Sequence, residues 1–151
     1  MGLITIMKYL LDTNICSYII KYKPLEVWKK FKSVSIDDCG ISSITLAELK
    51  YWVARNKRLH EKSNNHGSPK INEHIIDNFV SHLNVLDFDV PAANIYGKIR
   101  DSLDAKGIIV GNADLFIGSH AISLGAILVT NNTKDFAAFP NIQLENWVDL
   151  K

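Results

Sequence analysis

Cysteine, net charge and long apolar runs are all scarce in this sequence, and each shortage excludes a class of protein. The two cysteines, Cys16 and Cys39, form no CxxC pair, which argues against a thiolate metal site and for a reduced, cytoplasmic setting. No histidine or cysteine stands at zinc-ligand spacing. The apolar stretch Met1 to Leu11 is broken by Lys8 and closed by Asp12. It is too short to span a bilayer and has no small-residue cleavage site, so no membrane role is expected and a buried strand is the better reading. The formal net charge is only +1, so no strong overall field announces a nucleic-acid ligand. No internal repeat or low-complexity tract appears.

What is present is ordinary for a globular chain: 47% hydrophobic and 22% charged residues over 151 positions. That length suits a single domain (1–151) that buries roughly two-thirds of its unfolded surface. Charge is unevenly spread, with 12 Lys/Arg against 7 Asp/Glu in residues 1–75 and 5 against 9 in residues 76–151. The basic residues cluster in Lys21, Lys23, Lys29, Lys30 and Lys32, then in Lys50, Arg55, Lys57, Arg58 and Lys62. Solvated helix faces explain such runs better than a phosphate-binding surface does, since charge runs usually face water.

Ile4 to Leu11 reads as a first strand, closed by the capping triplet Asp12-Thr13-Asn14 and a helix to about Lys21. Pro24 fits the first position of a helix to about Lys32. Asp38 to Ser42 is a second strand ending in Ser43-Ile44-Thr45. Leu46, Leu49 and Val53 then mark a helix to about Lys62. A loop from Ser63 to Pro69 precedes a helix through Ile71, Ile75, Ile76, Phe79 and Val80. Asn84 to Phe88 is a strand leading to Pro91, which starts a helix stopped by Gly107. Finally come a helix from about Asn112, a buried strand from Ala126 to Thr130, a short helix and an edge strand at Ile142 to Leu144. Strands alternating with helices at this spacing predict a three-layer α/β/α sandwich around a parallel sheet.

Four acids stand at comparable places in that arrangement. Asp12 follows the first strand, Glu48 lies one turn inside the helix after the second, Asp114 opens a helix, and Asp135 follows the buried strand. Each has a bland explanation. Thr45-Leu-Ala-Glu48 matches a capping box, Asn132-Thr-Lys-Asp135 a similar cap, and Asp12 and Asp114 can serve helix dipoles. Four acids at one sheet end are harder to dismiss, because ligands gather outside the carboxyl ends of parallel strands. Crowded carboxylates repel unless a cation joins them, and an all-oxygen group suits Mg²⁺ or Mn²⁺. Such sites hydrolyse phosphodiesters. His120, by contrast, reads as a helix-packing residue.

Tyr9-Leu-Leu-Asp12-Thr-Asn14, Ser43-Ile-Thr-Leu-Ala-Glu48-Leu, Asp114-Leu-Phe-Ile with His120-Ala, Leu128-Val-Thr-Asn-Asn-Thr-Lys-Asp135-Phe and Glu145-Asn-Trp147 together resemble the PIN-domain ribonucleases. The likeness is greatest to the VapC toxins of type II toxin–antitoxin modules, and it covers essentially the whole chain. It implies a five-stranded parallel sheet and a metal site surrounded by Asp12, Glu48, Asp114 and Asp135, with Asp12 and Asp114 as direct ligands. Thr13, Asn112, Thr130 and Asn132 are the supporting residues. It also implies Mg²⁺- or Mn²⁺-dependent endoribonuclease activity on tRNA or other structured RNA, leaving a 5′-phosphate and a 3′-hydroxyl. The partners implied are a VapB-type antitoxin, a second copy in a homodimer within a larger complex with the antitoxin, and operator DNA only through the antitoxin. Lys21, Lys23, Lys50, Arg55 and Arg58 are the candidates for holding the RNA backbone. The sequence departs from the family in reading Val110-Gly-Asn112-Ala113 before the third acid, and Asn132 where many relatives carry an acid. Residues 1–6 extend beyond the family's usual start, with Met7 at the initiator position.

Two rivals make different demands. A phosphoacceptor receiver domain needs paired acids after the first strand and a lysine after the last main strand, where this chain has Asp12-Thr13-Asn14 and Thr130-Asn131-Asn132. A PIN fold kept only for binding a partner would tolerate loss of an acid, and none is lost.

Overall fold

The computed structural model describes residues 7–63, 67 and 69–148. Five short strands, Tyr9–Leu11 (β1), Cys39–Ser42 (β2), Asn84–Leu86 (β3), Ile127–Val129 (β4) and Gln143–Glu145 (β5), form one sheet. Every pairing is parallel and the order is β3-β2-β1-β4-β5. β1 and β2 are buried at every position, as strands covered on both faces must be, whereas β3 and β5 at the edges are partly exposed. Side chains alternate between two cores. Leu11 and Val129 face one, while Leu10 and Leu128, paired across β1 and β4, face the other.

The first core is covered by Thr13–Lys21 (α1), Leu25–Ser33 (α2), Ser43–Lys62 (α3) and Glu73–Ser81 (α4), through Ile15, Val27, Leu49 and Ile76. The second is covered by Val90–Ala105 (α5), Asn112–Leu124 (α6) and Thr133–Phe136 (α7), through Leu103, Ile117 and Phe136. Helix starts follow their caps: Asp12, Ser42, Asn72 and Asp89 each accept a backbone N–H from the first turn. Gly107, at φ +68°, follows α5 as the sequence predicted. Gly118 lets α6 approach α7 closely, since a Cβ there would sit 2.5 Å from the Phe139 ring. Trp147 is fully buried, stands edge-on to Tyr9 at 5.4 Å and donates to Glu145 at 2.9 Å. No helix among the described residues is long and apolar enough to cross a membrane.

Several boundaries differ from expectation. The first strand begins at Tyr9, and Ile4 to Ile6 lie outside the described residues. Ser43-Ile44-Thr45 is the first turn of α3, because Ser42 is the cap. Pro24 is the residue before α2, Pro91 the second residue of α5, and Asp38 ends a 3₁₀ turn. The fourth helix starts after the cap Asn72, not at Ile71.

Candidate active site

All five strands point the same way, so their carboxyl ends share one edge of the sheet. Asp12 stands there by following β1, and Thr130 by following β4. α3 leaves the same edge after β2, with Glu48 in its second turn. α6 runs back toward the start of β4, which puts its first turn, and Asp114, at that edge too. Asp135 lies on α7, just past β4. The topology thus brings together acids from four segments.

Asp12 is 4% exposed, and its Oδ1 accepts the Ile15 N–H at 2.9 Å. Burial pushes its carboxyl up from 3.8 to about 6. The charges of Asp114 and Glu48 push the same way, against hydrogen bonds from Thr130 and Ile15. Asp114 is also raised, by burial first and then by Glu48 and Asp135, while a hydrogen bond from Asn132 opposes the rise. The four carboxylates therefore share one field. The Thr13 hydroxyl donates to Glu48, and Asn132 donates to Asp135 at 2.6 Å. Thr130 is buried, and its hydroxyl oxygen accepts the Asn132 N–H at 2.9 Å, which fixes the turn that carries Asn132. Asn112 is the exposed first residue of α6.

As the side chains stand, no three of the described His, Cys, Asp and Glu residues come together as a metal-holding group. Glu48 and Asp135 are turned onto Thr13 and Asn132. The donor chemistry still fits a hard cation, because every acid is an oxygen donor and both cysteines are buried in the first core.

The capping-box reading of Thr45 and Glu48 fails, since Ser42 is the cap and Glu48 binds Thr13. Asp12 both caps α1 and feels the charges of Asp114 and Glu48, so its capping role does not remove it from the acids. The basic residues are not gathered with the acids. Lys50 is paired with Glu73 and Asp77, and Lys21 lies over Trp52 at 5.1 Å. Lys21 is nine residues beyond Asp12, about 13 Å down its helix, and Arg55 and Arg58 lie about 10 and 15 Å beyond Glu48. Sequence reasoning missed Ser42 and Thr45, both fully buried beside these residues, although a serine before an apolar-striped helix is a cap signal.

The arrangement alone is a set of acids at the carboxyl edge of a sheet, and comparison with known proteins decides its family. Residues 9–142 match the PIN domain. The chain belongs to the PIN-domain family. Its relatives there include the Ribonuclease VapC2 of Rickettsia felis, 42% identical over 142 residues, covering 93% of this chain and 98% of that protein. The tRNA(fMet)-specific endonuclease VapC of Salmonella typhimurium is 41% identical over 141 residues, with 93% and 98% covered. Among solved structures, a chain of the Rickettsia felis VapBC2 complex bound to a promoter DNA fragment superposes with a TM-score of 0.79 at 41% identity, covering 93% and 99% of the two chains. The DNA-bound VapBC of Salmonella typhimurium gives 0.78 at 38%, covering 93% of this chain and 98% of that one. The five-stranded parallel sheet expected of this PIN-domain chain is therefore present.

Proposed function

We propose that this PIN-domain chain is a divalent-metal-dependent endoribonuclease, the toxin of a VapBC-type pair, with Asp12, Glu48, Asp114 and Asp135 as its metal-holding acids. The observation that carries this reading is Asp12, a nearly buried carboxyl raised to about 6 and repelled by two acids from separate helices. Fixed charges crowded this way favour a cation. Asp12 and Asp114 are the direct ligands, because both are partly withdrawn from water and each is repelled by two other acids of the group. Glu48 and Asp135 complete the group by turning away from Thr13 and Asn132. When bound, Mg²⁺ or Mn²⁺ lowers the pKa of a water and stabilises the charge that develops on the scissile phosphate. Thr13 and Asn132 hold the Glu48 and Asp135 carboxylates while no metal is bound, and Thr130 holds the turn that carries Asn132.

Substrate and partner follow from the relatives. The Salmonella relative is named for its action on tRNA(fMet), so structured RNA, and tRNA in particular, is the proposed substrate class. The Rickettsia and Salmonella structures are VapBC complexes on DNA, so the proposed partner is a VapB-type antitoxin that restrains the enzyme in the cytoplasm and carries it to operator DNA. Within that complex the chain is read as a homodimer. Incubation of purified chain with total RNA, with product ends mapped, tests the activity. Internal cuts leaving 5′-phosphates in Mn²⁺ or Mg²⁺, and none in EDTA, are expected; cutting that is indifferent to EDTA would sink the metal assignment.

A further inference from the structure

His120 is a buried polar group that the proposed chemistry leaves unused. It is fully buried on α6, its Nδ1 lies 2.8 Å from Ser42 Oγ, and its Nε2 has no hydrogen-bond partner among the described residues. The ring stands edge-on to Phe88 at 5.4 Å, and Phe88 meets Phe116, one turn before His120, at 5.3 Å. The Phe88 N–H donates to Ser43 Oγ at 3.0 Å. Three segments therefore meet at this ring: the start of α3, the turn between β3 and α5, and the middle of α6. Burial holds the imidazole below its ordinary pKa, against the opposing charges of Asp89 and Asp87, so the ring is neutral at neutral pH.

Counting protons gives the direction of the bond. Ser42 Oγ already accepts the Ile44 N–H at 3.1 Å. If its hydroxyl donates to Nδ1, only the Nε2–H of the ring is left over. If Nδ1–H donates instead, the Ser42 hydrogen and the Nε2 lone pair are both stranded. Fewer buried groups go unsatisfied in the first arrangement, so Ser42 is the donor and the ring is the Nε2–H tautomer. Ser42 is the cap of the helix that carries Glu48, and His120 belongs to the helix that carries Asp114. A hydrogen bond to a planar ring fixes the rotation of one helix against the other, which a sliding apolar contact does not.

We infer that His120 is a positioning residue, which through Ser42 sets the separation of Glu48 and Asp114 and so the affinity of the acids for a divalent cation. This rests on the acid-site reading proposed above. A buried ring with a stranded nitrogen contributes little stability, because an apolar side chain of similar volume removes the stranded Nε2–H and leaves the Ser42 hydroxyl hydrogen unmet, one stranded group in either case. Stability and metal affinity should therefore separate, and a merely structural histidine would move both together.

The test is titration of Mn²⁺ into wild type, His120→Leu, His120→Asn, Ser42→Ala and Asp12→Asn, with melting in EDTA alongside. His120→Leu should weaken Mn²⁺ binding about tenfold, the scale on which groups that orient metal ligands act. Its melting temperature should stay close to that of wild type. His120→Asn, which keeps an acceptor near the Nδ1 position, should recover most of the affinity. Ser42→Ala cuts the same bond from the other side, and serves if the leucine variant does not fold. The double variant should lose no more affinity than either single one. Wild-type affinity in both His120→Leu and Ser42→Ala, while Asp12→Asn loses binding, would overturn this inference alone. So would a loss in His120→Leu that tracks melting and is not rescued by asparagine. Wild-type binding by Asp12→Asn would instead overturn the acid-site reading beneath it.

Discussion

Asp12→Asn should make the metal-free protein more stable, although it removes the residue at the centre of the proposed site. The Asp12 carboxyl is raised from 3.8 to about 6 on folding. The folded chain thus binds its proton more tightly than the unfolded chain, and stability falls as pH rises between those two values, then levels off. A shift of about 2 pH units is worth about 3 kcal/mol, which the charged form costs the fold at neutral pH. Asparagine removes that cost and is an equally good cap, so the bond from the Ile15 N–H survives. The Thr130 hydroxyl, which donates to Asp12, must find a new arrangement at a cost of about 1 kcal/mol. The net gain is about 2 kcal/mol, or a rise in melting temperature of about 4–8 °C for a chain of this size. Calorimetry in EDTA at pH 7.5 measures it, and repeating the scan near pH 4 should shrink the difference, because both proteins are then close to neutral at this position. Saturating Mn²⁺ should reverse the ranking, since ligand at about 100 times Kd stabilises only the protein that binds it, by about 3 kcal/mol. A variant less stable than wild type in EDTA at pH 7.5, or a difference that does not shrink with acid, would refute the electrostatic argument.

Gly118→Ala places a methyl against the Phe139 ring and should cost about 2 kcal/mol, visible as a lowered melting temperature that Phe139→Leu partly restores. Replacing Lys23, Arg55 and Arg58 together by alanine should raise KM for RNA and flatten the salt dependence of affinity by about 2 in log–log slope, leaving kcat and the cut site unchanged. An unchanged slope would mean that these side chains face solvent or the antitoxin. Lys50→Ala, whose charge is already met by Glu73 and Asp77, should leave RNA affinity alone and cost under about 1 kcal/mol of stability. Both thiols are buried and raised by burial, Cys39 to about 11, so a thiol reagent should label neither in the native chain and both on unfolding.

The parts of the fold set by local chemistry were legible in the sequence. Asp12 before α1 and Gly107 after α5 act through bonds spanning three or four residues, and the all-apolar β1 and β4 announce their burial in composition. Glu48 shows where local pattern misleads. Thr45 and Glu48 have capping-box spacing, but Ser42 is the cap, and the Glu48 carboxylate is held by Thr13, 35 residues away. The bond between Ser42 and His120 spans 78 residues and joins two helices whose packing no local periodicity encodes. His120 is buried as a packing residue would be, but its Ser42 partner is not encoded in the pattern around it. The basic clusters flank the site in sequence, yet helix rise carries Arg55 and Arg58 down α3, away from the acids.

The most direct test of the four-acid reading is the rate of RNA cleavage against Mn²⁺ concentration for wild type and for Asp12→Asn, Glu48→Gln, Asp114→Asn and Asp135→Asn. The account predicts a metal-dependent wild-type rate, a loss of about a hundredfold or more in the Asp12 and Asp114 variants, and losses of at least about tenfold in the other two. All four should remain folded in EDTA. Wild-type rates in the Asp12 and Asp114 variants, or cleavage that proceeds equally in EDTA, would contradict it.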